Sequence, residues 1–211
     1  SPTFELVNSL EEVNHKNEIK IFIADNKSSK KSKKQLLSLK KNSVLDINLF
    51  FNKKNYFYWP AANKILLNQL KLKSSYPDWI IICNNDIIFY DQNFFSNLKK
   101  IDNKKFHIIG PTISSENHKD LNPFLQKKLS LFQIFYWNVY FKSYLLANML
   151  NFFKKIRFRG KNTKYKIKKV YAVHGSAIIF SKNFFEKKGK LDNNFKLYCE
   201  ELTTAEIAKS I

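Results

Sequence analysis

Hydrophobic and polar positions along this chain keep two rhythms. Phe4, Leu6, Val7, Leu10 and Val13 recur at helical spacing, and Ile19 to Ala24 then reads as a strand ending at Asp25-Asn26. The lysine-rich stretch 30 to 41 carries Leu36, Leu37 and Leu39 on an otherwise solvated helix; Ile47 to Phe51 is a second short strand and Ala61 to Leu72 another helix. Pro77 stops the chain before Trp79-Ile80-Ile81-Ile82, a β-branched run that reads as a buried strand. A helix over Asp91 to Lys100 and a strand over Phe106 to Gly110 follow. From Val170 the pattern resumes: Val170 to Val173 as a strand, His174-Gly175-Ser176 as a turn, Ala177 to Phe180 as a strand, and Lys182 to Lys188 as a short helix ended by Gly189. A last helical stretch opens at Tyr198-Cys199-Glu200-Glu201. Strands alternating with helices predict an α/β domain with a mostly parallel sheet flanked by helices.

That fold class says where to look for chemistry. In open α/β sheets, ligands bind beyond the carboxyl ends of the strands. Asp25-Asn26 and Asn84-Asn85-Asp86 stand at two such ends, and the expectation is that they share one rim. A turn alone would explain Asn and Asp there. However, the apolar run Ile87 to Phe89 follows at once, which predicts a carboxylate held between core segments, a costly placement unless a cation meets it.

Composition narrows the classes. The 211 residues, 44% hydrophobic and 16% aromatic, suffice for a folded core, with one domain as the default. The formal net charge of +20 favours anionic partners, yet Arg157 and Arg159 are the only arginines among many lysines. Readers of nucleic acid favour arginine's bidentate contacts, so no nucleic acid is expected. Cys83 and Cys199 form no CxxC pair, fit a reducing compartment, and are expected to be inert packing residues. No signal peptide opens the chain, which starts at Ser1-Pro2 without a methionine, so its true start is expected to lie elsewhere.

The ordered series IADNKS (23 to 28), ICNNDIIF (82 to 89), VYAVHGSAIIFSKNFFEKKGKLDNNF (170 to 195) and YCEEL (198 to 202) resembles family 2 glycosyltransferases, most closely rhamnosyltransferase-like members that build bacterial surface polysaccharides such as lipopolysaccharide. The resemblance spans nearly all of the chain outside about 125 to 168. It implies a GT-A fold (a Rossmann-like nucleotide-sugar-binding domain), a UDP- or dTDP-sugar donor, Mg²⁺ or Mn²⁺, and a lipid-linked or polysaccharide acceptor. By the same resemblance Asp25 contacts the nucleotide base or ribose, Asn84-Asn85-Asp86 stands where the DxD motif stands with Asp86 as the metal ligand, and Asn63 of AAN (61 to 63) lies near the donor. Glu201 takes the place of the catalytic base, with Glu200 beside it and His174 as a candidate on the acceptor side. Asn84 and Glu201 depart from the family's acids. Family members also begin with a strand before the segment matching Ser1 to Leu10 and continue past the acid-bearing helix, so the chain is expected to be a piece of a longer, inverting, metal-dependent enzyme.

The stretch LFQIFYWNVYFKSYLLANMLNFF (131 to 153) with KKIRFRGK (154 to 161) lies outside those motifs. It is long enough to weigh as a membrane span, but Gln133, Asn138, Lys142, Ser143, Asn148 and Asn151 interrupt it. Two readings stay open: docking of a cytoplasmic enzyme on the inner face of an anionic membrane, or a lid packing on the core. Three competing functions remain beside the transferase: nucleotidyl transfer, a basic membrane- or nucleic-acid-binding module, and an inactive relative.

Overall fold

Ser1 and Pro2 start α1 (Pro2–Glu11), the proline supplying a fixed φ at a position whose N–H needs no helical partner. Val7 and Leu10 turn one stripe of α1 into a core with Leu39, Leu45 and Ile47. Then come β1 (Lys20–Asp25), α2 (Lys30–Asn42), β2 (Asp46–Phe51), α3 (Trp59–Leu72), β3 (Trp79–Cys83), α4 (Phe94–Lys99), β4 (Ile108–Ile109) and α5 (Leu131–Lys142). The chain ends with β5 (Ala177–Ser181), α6 (Lys182–Glu186) and α7 (Glu200–Ser210). Side-chain caps punctuate it: the Ser29 hydroxyl accepts from Ser32 N–H at the start of α2, and Ser181 accepts from Phe184 N–H at the start of α6. This computed structural model describes residues 1–72, 76–115, 120–142, 144, 147, 148, 167–196 and 198–211, omitting the side chains of 70–72.

Contacts divide the chain into two units, Ser1–Phe124 with Ala172–Ile211, and Leu125–Tyr171. In the first unit β1 pairs with β2 in parallel, and β5 lies between β3 and β4, antiparallel to both. β3 and β4 therefore run the same way, and β5 is the one reversed strand of its sheet. All five residues of β5 are buried, as a strand flanked on both sides requires. Trp59, Ile178, Phe180 and Phe184 are the fully buried members of the second core, with Ile82, Phe185 and Leu191 beside them.

The α/β class matches the expectation, and several local expectations are corrected. Of the run Ile87 to Phe89, Phe89 packs against the first core but Ile88 is exposed, and Asp86 is exposed rather than held between core segments, so its carboxylate bears no burial cost. The strand expected over Phe106 to Gly110 is only Ile108–Ile109. Val170 to Val173 forms no strand: the next amide, His174 N–H, is taken by the Asn122 side chain at 2.7 Å, outside any ladder. Cys199 is exposed, not packed, and Cys83 is half-buried. The basic stretch 154 to 161 lies outside the described residues, as do Ser143 and Asn151.

In the second unit, α5 opens with a capping box: the Ser130 hydroxyl accepts from Gln133 N–H, and Gln133 Oε1 accepts from Ser130 N–H. Among the described residues no helix is long and apolar enough to cross a membrane.

Candidate active site

Three strand ends and one helix start supply the candidate residues. Asp25 closes β1 and is buried; both carboxylate oxygens accept from Ser28 N–H, at 3.3 and 3.2 Å, which turns the chain sharply after the strand. Asn26 then holds the loop after β2. Its Nδ2 donates to Phe57 C=O (2.9 Å), while its Oδ1 accepts from Asn52 Nδ2 and Tyr56 N–H. Lys64 reaches back from α3 to Asn52 Oδ1 (3.0 Å), its ammonium 4.4 Å from the Tyr56 ring centroid. The loop is thus built before any ligand arrives.

It delivers Tyr58. The Tyr58 hydroxyl donates to Gly175 C=O at 2.9 Å, joining the loop after β2 to the turn before β5. On that turn's other side, Ser176 C=O accepts Asn84 N–H (2.9 Å), extending the β3–β5 ladder by one bond and fixing where Asn84-Asn85-Asp86 begins. Gly175 N–H donates to Glu201 Oε1 at 3.2 Å. A Cβ on Gly175 would stand 2.6 Å from Glu201 Oε1 and 3.1 Å from Glu200 Oε1, so only glycine lets both carboxylates approach this turn. Burial, and after it the ionisable groups of Cys83, Glu200, Glu201 and Asp86, push the Tyr58 hydroxyl far above its usual range. The 174–176 turn therefore ties Tyr58, the end of β3 at Asn84 and the start of α7 at Glu201 together.

The two glutamates differ. Glu201 is half-buried and tied to Gly175, whereas Glu200 is 5% exposed with an Oε2 that finds no partner. Burial raises the Glu200 carboxyl; its own backbone N–H opposes this, and the Glu201 charge adds to the rise. Two consecutive non-glycine residues, Tyr198 and Cys199, take left-handed φ of 68° and 66° just before α7. Such strain persists where surrounding contacts dictate it, and here it aims the start of α7 at the 174–176 turn.

The remaining sequence candidates fall into place unevenly. Among the described residues Asp86 is exposed and has no hydrogen-bond or ion-pair partner. Burial first, and the Asp86 charge second, push the adjacent Cys83 thiol up to about 11, so it stays a thiol at neutral pH. Asn85 turns away, its Nδ2 donating to the Thr3 hydroxyl of α1 (3.0 Å). Asn63, at the start of the second turn of α3, is buried and donates to Asn193 Oδ1 (2.8 Å), bracing the segment that leads into α7. His174 accepts Ser176 N–H at Nδ1 (3.2 Å), which assigns its ring proton to Nε2, and packs edge-on against Phe124. Tyr58, Asn52 and Asn122 escaped the sequence reading; the aromatic run Tyr56-Phe57-Tyr58-Trp59 beside a polar loop was the available signal for the first.

Among the described residues no three His, Cys, Asp or Glu side chains gather to hold a metal by themselves. No family model matches the sequence, and no curated protein matches it. Two crystal structures of S. aureus TarS, a glycosyltransferase, do resemble it in three dimensions. Each aligns over 98% of this chain with a TM-score of 0.58 and 13% identity. This chain spans 50% of the TarS 1–349 structure and 30% of the longer TarS structure. At that identity the likeness is one of fold: this chain has the α/β fold found in the glycosyltransferase TarS.

Proposed function

We propose that the chain is the catalytic part of a metal-dependent glycosyltransferase that moves a sugar from a nucleoside-diphosphate donor to an acceptor hydroxyl with inversion. The observation that carries this reading is the 174–176 turn, which takes Tyr58 and Glu201 by hydrogen bonds at Gly175 and the strand end before Asp86 through Asn84 N–H, on a fold also found in TarS. Asp25 and the Asn26-braced loop would flank the base and ribose. Asn84 and Asp86 would face the diphosphate, while Asn63 and Asn85 position the walls.

The metal fits this donor set. An exposed, unpartnered carboxylate suits Mg²⁺ or Mn²⁺, hard cations that take few protein ligands and complete their shell with water and phosphate oxygens. Bound there, the cation would neutralise charge on the departing diphosphate. Glu201, half-buried with one oxygen steadied by Gly175 N–H, can accept the acceptor's proton during attack. The acceptor is a surface polysaccharide or lipid-linked glycan, and rhamnose is the leading candidate for the sugar.

Nucleotide release from UDP- and dTDP-sugars tests the reading. Turnover should require Mg²⁺ or Mn²⁺ and fall by roughly 10²-fold or more in Glu201→Gln, the loss expected of a general base. Turnover at the wild-type rate in Glu201→Gln would refute the assignment.

A further inference from the structure

Tyr58 touches both pieces of chain that set the position of Glu201. Its hydroxyl donates to Gly175 C=O at 2.9 Å, on the turn whose Gly175 N–H holds Glu201 Oε1. Its backbone N–H donates to Lys196 C=O at 3.2 Å, on the segment that leads into α7.

The turn needs glycine, and the glycine needs outside support. A Cβ at residue 175 would stand 2.6 Å from Glu201 Oε1, so the approach of the carboxylate excludes a side chain there. Glycine has the widest backbone freedom of any residue, and the peptide planes on either side of it turn easily. Hydrogen bonds supply the rigidity that the residue lacks. His174 N–H donates to Asn122 Oδ1 (2.7 Å), Ser176 N–H to His174 Nδ1 (3.2 Å), and Asn84 N–H to Ser176 C=O (2.9 Å). The carbonyl of Gly175 itself is met by Tyr58.

Tyr58 is a firm anchor for that bond. Its ring packs against the second core beside Trp59, 5.6 Å between centroids. The loop that delivers it is braced by Asn26, whose Oδ1 accepts from Tyr56 N–H and whose Nδ2 donates to Phe57 C=O. Phe57 holds a left-handed φ of 62°, a strained conformation that persists where the surrounding contacts dictate it. The single O–H of Tyr58 is committed to Gly175 C=O, so the residue acts through the turn and not on the substrate.

We propose that Tyr58 is a positioning residue for the base: its hydroxyl fixes the Gly175 carbonyl, and thereby the Gly175 N–H that aims Glu201 at the acceptor hydroxyl. The inference rests on Glu201 as the base of a glycosyl transfer. A reacting group misplaced by about 1 Å can lower a rate by roughly 10²-fold. Donor binding does not depend on that aim, so the loss belongs in kcat.

Tyr58→Phe tests it, because the substitution removes one oxygen and leaves the ring in the core. With UDP- and dTDP-sugars, kcat should fall by roughly 10- to 100-fold while the donor KM stays within about twofold of the wild type. In the Glu201→Gln background the same substitution should lower turnover no further, since no base is left to aim. Amide hydrogen exchange needs no turnover: Gly175 N–H should exchange roughly tenfold or more faster in Tyr58→Phe, with the β5 amides unchanged. A wild-type kcat in Tyr58→Phe, an equal loss in the Glu201→Gln background, or unchanged exchange at Gly175 would overturn the proposal. Wild-type turnover in Glu201→Gln would instead refute the base assignment, and this inference with it.

Discussion

Glu200 and Glu201 are neighbours in sequence with opposite surroundings, and the difference is measurable. The Glu200 carboxyl is raised above its ordinary 4.5, chiefly by burial. A carboxyl raised by folding favours the native state fully while protonated, below its unfolded value, and loses that contribution as pH climbs through the folded one. Thermal melts from pH 4 to 8 should therefore show the wild type losing ground to Glu200→Gln as pH rises; parallel curves would contradict the burial account. Gly175→Ala places a methyl 2.6 Å from Glu201 Oε1. The Glu201 carboxylate must then swing away from Gly175 N–H, at a cost of about 1 kcal/mol or less by denaturant titration but with a larger fractional loss of turnover. Asp86, exposed and unpartnered, should by contrast tolerate alanine within about 0.5 kcal/mol. At this scale the sequence marked the acids and the asparagines, because their placement at strand ends is local. It did not mark Tyr58, whose partner Gly175 lies 117 residues away.

Among the elements, α3 and β5 carry the packing on which the candidate site rests. Trp59 opens α3 fully buried against Phe180, yet its Nε1 has no hydrogen-bond partner. Trp59→Ala should cost about 3–5 kcal/mol, whereas Trp59→Phe, which removes the orphaned donor with only part of the ring, should cost well under half of that. Equal losses in the two variants would show that Nε1 is satisfied in solution. Periodicity exposed most of these elements because their apolar stripes or runs are local signals: β1, β2, β3, β5 and the helices fall where the pattern places them. It could not tell direction, since the reversal of β5 between β3 and β4 depends on pairing across about seventy to a hundred residues. Nor could it tell that Val170 to Val173, apolar as it is, joins no strand, Tyr171 N–H donating instead to Leu125 C=O and Gln126 C=O.

Over the whole molecule, the candidate site lies in the first unit. The α/β class was legible because helices and strands alternate with few interruptions, and the fold agrees with TarS across 98% of the chain despite 13% identity. Sugar, base and acceptor were not legible, since pocket shape sets them and motifs do not. The net charge of +20, which in another protein would signal nucleic acid, is here spread over lysines. The central claim is that Asp86 and its strand end receive a metal-bound nucleoside diphosphate. Calorimetric titration of UDP and dTDP, with and without Mn²⁺, into the wild type and Asp86→Ala tests it most directly. The account predicts binding that needs the metal and disappears in Asp86→Ala while the melting temperature holds. Binding that ignores Mn²⁺, or that survives the substitution at full strength, would contradict it.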